Sequence, residues 1–166
     1  GDGGFANIYR SSQKQGSDLA LKLFNPHYKS SLKRYKWFNV LNKIKDNLIK
    51  NRDLINEDYF VKLHFIPEKE DAYWYVMDYF DGFDVSSKMD DKNFTEDKEL
   101  IGNILMTYVN MLKHLHENNK LFIDNNWGAV LFNDNKEVKI CDYDLITDID
   151  ELNADKKYFT RFIHHG

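Results

Sequence analysis

The stretch from His116 to Ile146, HENNKLFIDNNWGAVLFNDNKEVKICDYDLI, limits the fold more than any other part of the chain. Within it, Val130–Phe132 and Val138–Cys141 are short apolar or alternating runs. Asn133-Asp134-Asn135-Lys136 between them has the composition of a turn joining two strands. The spacing predicts a hairpin with one carboxylate, Asp124, just before its first strand and another, Asp142, just after its second. Antiparallel pairing brings those two chain ends to the same mouth. Two carboxylates converging there can divide the labour, one taking a proton from an attacking group and the other holding a hard metal ion. The plain alternative is a loop that is merely rich in Asp and Asn, so the rest of the chain has to decide.

Upstream, Ser11–Ser17 reads as a polar turn. Asp18–Phe24 follows as an apolar strand carrying one lysine, Lys22. An ammonium in an apolar strand must be satisfied by a partner; the alternative is an edge strand with Lys22 facing solvent. Residues 30–49 read as a helix with Trp37, Phe38, Leu41, Ile44 and Leu48 on one face. Lys33, Arg34, Lys36, Lys43 and Lys50 form a basic opposite face, either a solvated surface or a docking site for an acidic partner. Two strands are expected at Tyr59–Ile66 and Ala72–Phe80, with a turn at residues 67–71 and a flexible joint at Asp81-Gly82. Residues 84–97 read as a short helix plus loop. A long helix follows over 96–118, starting near Thr95, with Leu100, Ile104, Leu105, Tyr108, Met111, Leu112 and Leu115 as its core stripe. His116 is read as a helix-end residue, not a ligand.

Apolar residues make up 42% of the 166, enough for a packed core in one domain or two small lobes. The single cysteine, Cys141, rules out an internal disulfide and points to a reducing compartment, hence a cytoplasmic setting. A net charge of -4 argues against wholesale nucleic-acid binding. No apolar run reaches membrane-span length, and no signal-peptide pattern is present. The first residue is Gly1 and not Met, as expected of a fragment or a processed chain.

Taken together, these segments resemble the protein kinase superfamily, in which a loop Asp, a strand pair and a D-F-G turn follow one another at this spacing. Gly1, Gly3, Phe5 and Ile8 match the glycine-rich loop G-x-G-x-F-G-x-V, with Gly4 inside it and Ala6 in place of the third glycine. Asp18–Phe24 is similar to the V-A-I-K strand, and Met77 stands at the gatekeeper position before the hinge. The resemblance implies an α+β fold with a small antiparallel β lobe over residues 1–80 and a truncated helical lobe over 81–166, with ATP and Mg²⁺ between them. It implies that Ala20 and Leu131 line the adenine site and that Asp78 and Phe80 offer backbone groups to the adenine edge. Lys22 would reach the α- and β-phosphates, Asp142 would hold the metal, and Asp124, with Asn126 beside it, would act on the acceptor hydroxyl.

The chain also departs from the family pattern at several places. No Glu occurs between Ser30 and Ile55 to pair with Lys22, and Asp46 lies off the apolar stripe. Phe122 and Ile123 replace the His and Arg of H-R-D, so a phosphate added to an activation loop would find no arginine. Asn126 stands where many protein kinases carry a lysine. Ala129 occupies the place of the metal-binding Asn and has no oxygen to offer, which implies either lost metal chemistry or an alanine placed to stop turnover. The expectation is a phosphotransferase acting on a hydroxyl, that of a protein Ser/Thr or of a small molecule as in aminoglycoside phosphotransferases. The alternatives are a pseudokinase scaffold and an interaction domain using the basic helix.

Overall fold

The computed structural model describes residues 6–12, 16–24, 31–69, 72–123 and 126–150. Gly1, Gly3, Gly4, Phe5, Asp124, Glu151 and the side chains of Lys33, Arg34, Lys36, Trp37 and Phe38 lie outside the described set. The chain divides into two compact units, Gly1–Asp53 with Val61–Tyr79, and Leu54–Phe60 with Phe80–Gly166.

The first unit holds β1 (Ala6–Ser11), β2 (Leu19–Phe24), α1 (Ser31–Lys50), β3 (Leu63–Phe65) and β4 (Trp74–Asp78). Its four strands form one antiparallel sheet in the order β1-β2-β4-β3. The period-two pattern of β2 and β4 buries Ala20, Lys22, Phe24, Tyr75 and Met77 on one side, while Leu21, Leu23 and Val76 on the other are half-buried. Because β2 is an interior strand and Lys22 is only 7% exposed, the solvent-facing edge reading of Lys22 is excluded.

In α1, Leu41, Ile44 and Leu48 are buried at three- and four-residue steps. The buried stripe also takes in Lys45, four residues after Leu41 and three before Leu48. Lys45 is buried with its Nζ donating to the Lys69 carbonyl, and Tyr73 Oη donates to Asn42 Oδ1 at 3.0 Å.

The second unit contains β5 (Phe83–Asp84), α2 (Lys92–Glu96), α3 (Lys98–Glu117), β6 (Lys120–Phe122), β7 (Val130–Phe132), β8 (Val138–Ile140) and β9 (Ile146–Asp148). α3 begins two residues later than Thr95 suggested, because Asp97 is the residue that caps it: its Oδ1 accepts from Leu100 N at 3.0 Å. Leu100, Ile104, Met111 and Leu115 are buried as the periodicity required, but Leu105 is 50% exposed. Adjacent apolar residues in a helix point about 100° apart, so Ile104 and Leu105 cannot both face the same neighbour.

β5, β7 and β8 form a sheet, and β6 pairs with β9. The turn of the β7–β8 hairpin closes as its composition indicated. Asn133 Oδ1 accepts from Asn135 N and Glu137 N at 3.1 and 3.0 Å, and Lys136 takes φ 59°. Lys136 Nζ then reaches α3, 2.6 Å from Glu99 and 3.1 Å from Asp97.

Two sequence expectations are corrected by this unit. The strand expected over Tyr59–Ile66 is reduced to Leu63–Phe65, because Tyr59 and Phe60 are taken elsewhere. The Tyr59 carbonyl accepts from Ile140 N at 2.8 Å, and Phe60 stacks edge-on to Tyr143 at 5.9 Å. Gly82, expected as a flexible joint, is a tightly packed position. A Cβ there would lie 2.2 Å from the Phe132 carbonyl oxygen, where β5 pairs with β7. Among the described residues, no helix is long and apolar enough to cross a membrane.

Candidate functional site

In the first unit the candidate residues lie on a face of the β1-β2-β4 sheet. Cross-strand register sets Ile8 opposite Lys22 and Lys22 opposite Tyr75; one rung along, Arg10, Ala20 and Met77 stand in line. Directly opposed residues share a face, so Ala6, Ile8, Ala20, Lys22 and Met77 are gathered on one side of the sheet. That side is small, apolar or aromatic apart from the buried Lys22 ammonium and the exposed Arg10 on the edge strand. Lys22 Nζ lies 5.4 Å from the Phe24 ring centroid and 5.7 Å from that of Tyr75, close enough for both ring faces to favour the cation.

The end of β4 is held on several sides. Asp78 N donates to the Lys62 carbonyl at 2.9 Å, and Tyr79 N donates to the Asp18 carbonyl at 2.8 Å. Asp78 Oδ1 meets His64 Nε2 at 2.6 Å, and Arg10 ion-pairs with Asp18 at 2.6 Å while lying over the Tyr79 ring. The Asp78 amide is thus committed within the sheet, and only its carbonyl fits the role of presenting backbone to a ligand. Phe80 is half-buried and belongs to the second unit. Arg10 and His64 were not legible as site neighbours, since only the register brings them to this strand end.

In the second unit the candidate residues lie at the β7–β8 hairpin. Its ladder, Val130 opposite Ile140, continues one rung further, where Cys141 N donates to the Ala129 carbonyl at 2.8 Å. The chain entering at Ala129 and the chain leaving at Cys141 therefore run side by side. Leu131, in the middle of β7, is half-buried. Immediately after Cys141, Asp142 adopts φ 59° and ψ 32°. The left-handed region costs a side-chain-bearing residue some free energy, although Asp is among those that tolerate it best. Tyr143, which follows, is buried in a 3-10 turn over Tyr143–Leu145 that leads into β9.

Asn126 and Ala129 bound the other 3-10 turn, Trp127–Ala129. Asn126 is its cap, and Asn126 Oδ1 accepts from Ala129 N at 3.2 Å. The oxygen that a catalytic role would require is used to hold the turn. The Ala129 methyl is fully buried.

These residues can be tested against the groups that the resemblance implied. Among the described residues, no cluster of three or more His, Cys, Asp or Glu side chains could hold a metal ion. With Ala129 lacking an oxygen and Asn126 turned into its own backbone, the described hairpin offers Asp142 as its metal carboxylate; Asp144 is buried. That set fits a Mg²⁺ carried on nucleotide phosphates, since Mg²⁺ keeps several waters and needs only one or two carboxylates besides phosphate. The sheet face around Lys22 fits an apolar base next to a triphosphate.

Two charged residues outside every motif close the strand pair on either side of this region. Lys120 Nζ lies 2.6 Å from Asp148 Oδ1, with the two side chains 10% and 24% exposed.

Comparison with known proteins gives a single direction. The family model described as Protein kinase domain matches residues 1–162. Serine/threonine-protein kinase 4 homolog B of Dictyostelium discoideum is similar, at 25% identity over 146 residues. That alignment covers 86% of this chain but 12% of the relative, so the chain spans only a small part of that protein's length.

Proposed function

Since the chain belongs to the protein kinase domain family, we propose that it binds ATP and transfers its γ-phosphate to a hydroxyl, that of a protein Ser or Thr. The observation carrying this reading is the cross-strand row that sets Lys22 beside Ile8 and Tyr75 and next to Ala20 and Met77 on one buried face. A buried ammonium on such a face is the kind of group that would hold nucleotide phosphates. The roles follow. Lys22 holds the α- and β-phosphates. Ala6, Ile8, Ala20, Met77 and Leu131 pack the base, and the Asp78 carbonyl with the Phe80 backbone meets its polar edge. The glycine loop, Gly1, Gly3 and Gly4 with Phe5, covers the phosphates through backbone N–H groups. Mg²⁺, when bound, neutralises charge on the phosphates. Asp142 keeps that charge in register, and Asp124 orients or deprotonates the acceptor hydroxyl. The choice of Ser or Thr as acceptor is supported by the similarity to the Dictyostelium serine/threonine-protein kinase.

A second reading, a nucleotide-binding module without turnover, is favoured by the buried methyl of Ala129 and the engaged amide of Asn126. Thermal unfolding with ATP, with and without Mg²⁺, and labelled-phosphate transfer to a Ser/Thr substrate protein separate the two. Wild type is expected to gain stability with ATP, Lys22→Met to lose that gain, and Asp142→Asn to lose the part that depends on Mg²⁺. Binding without transfer would establish the second reading, and no stabilisation by ATP at all would reject both.

A further inference from the structure

We propose that the Lys120–Asp148 ion pair is a latch that sets the Asp142 turn, so that both are positioning residues. The catalytic half of this inference rests on the phosphotransfer reading above; the structural half does not. β9 finds its strand partner, among the described residues, in β6. The ribbon they form has three rungs: Phe122 opposite Ile146, Leu121 opposite Thr147, and Lys120 opposite Asp148. A two-stranded ribbon of this length is marginal on backbone pairing alone. Its inner end, at Phe122 and Ile146, is apolar and buried, and its outer end is closed by the ion pair.

The placement makes the pair more than a surface contact. Lys120 stands four residues before Asp124, and Asp148 stands six after Asp142. The chain from Asp142 passes through one 3-10 turn and enters β9 without slack. β9 is thereby the anchor that keeps Asp142 in its left-handed conformation, and Ile149 N, donating to the Asn119 carbonyl at 3.2 Å, is the last tie beyond the pair. Removing the Asp148 carboxylate takes the close counter-charge from the Lys120 ammonium, whose side chain is 10% exposed, so the outer rung opens as a unit instead of weakening slightly.

The test uses Lys120→Met, Asp148→Asn and the exchanged variant Lys120→Asp/Asp148→Lys. Hydrogen exchange is read on a peptide covering residues 142–149 and on the interior of α3. The latch predicts exchange at least tenfold faster at 142–149 in either single variant, unchanged protection in α3, and recovery of most protection in the exchanged variant. In phosphate transfer, kcat is expected to fall at least tenfold while the KM for ATP stays within threefold. Asp148→Asn keeps the side-chain shape and is the variant to read if Lys120→Met does not fold. Unchanged exchange at 142–149, or equal loosening of α3, would overturn the latch. A wild type that transfers no phosphate would instead overturn the phosphotransfer reading, and the exchange result would still decide the latch.

Discussion

Single residues in this chain are held by contacts that their types alone do not announce. Gly82 is required by space: the Phe132 carbonyl oxygen and the Phe80 ring occupy the volume around its α-carbon. Gly82→Ala should therefore cost about 1–3 kcal/mol through displaced backbone, measurable as a lower urea midpoint at unchanged slope. Ala129 presents the reverse case. Its methyl is fully enclosed, so Ala129→Asn should lower the melting temperature by overpacking while supplying the oxygen a metal needs. If the phosphotransfer reading holds, transfer should rise on the order of a hundredfold, the scale of one electrostatic contact in the transition state. No gain in transfer would favour the module without turnover.

At the scale of elements, the clamp between the hairpin turn and the start of α3 contributes to acid stability. The backbone N–H of Leu100, followed by the Lys136 ammonium, holds the Asp97 carboxyl below the ordinary aspartate value of 3.8. Glu99, then Asp97, raises the Lys136 ammonium above 10.5. A carboxyl lowered in the folded state contributes stability that is present above about 3.8 and lost as pH falls through its lowered value; a raised ammonium contributes below 10.5 and loses it as pH rises through its raised value. Wild type should therefore lose stability below pH 3.8 more steeply than Lys136→Met, when urea midpoints are compared from pH 7 down to pH 2.5.

The hairpin and α3 were legible because each carries its own signal. Asn133–Lys136 is a turn wherever it occurs, and Leu100, Ile104, Met111 and Leu115 repeat at helical steps. Tyr59 and Phe60 were misassigned because apolar alternation does not say which sheet will claim a residue, and Ile140 claimed them. At the site, the residue types were visible, but the row joining Ile8, Lys22 and Tyr75 depends on register. The ion pair of Lys120 depends on a partner 28 residues away.

For the whole molecule, two compact units mean that one probe cannot report on both. Trp37 and Trp74 belong to the first unit and Trp127 to the second, so Trp127→Phe silences the second unit's signal and leaves that of the first. Family membership extends over residues 1–162 and thus over both units. The only thiol of the chain, that of Cys141, is 8% exposed and immediately precedes Asp142. An alkylating reagent can reach that sulfur only when the surrounding segment opens. Iodoacetamide uptake followed by mass spectrometry should be far slower than for an unfolded chain, and slower still with ATP and Mg²⁺. Uptake at the unfolded rate would show the segment to be open in solution. The protein thus carries an intrinsic chemical gauge of breathing at the position where a metal would be gripped.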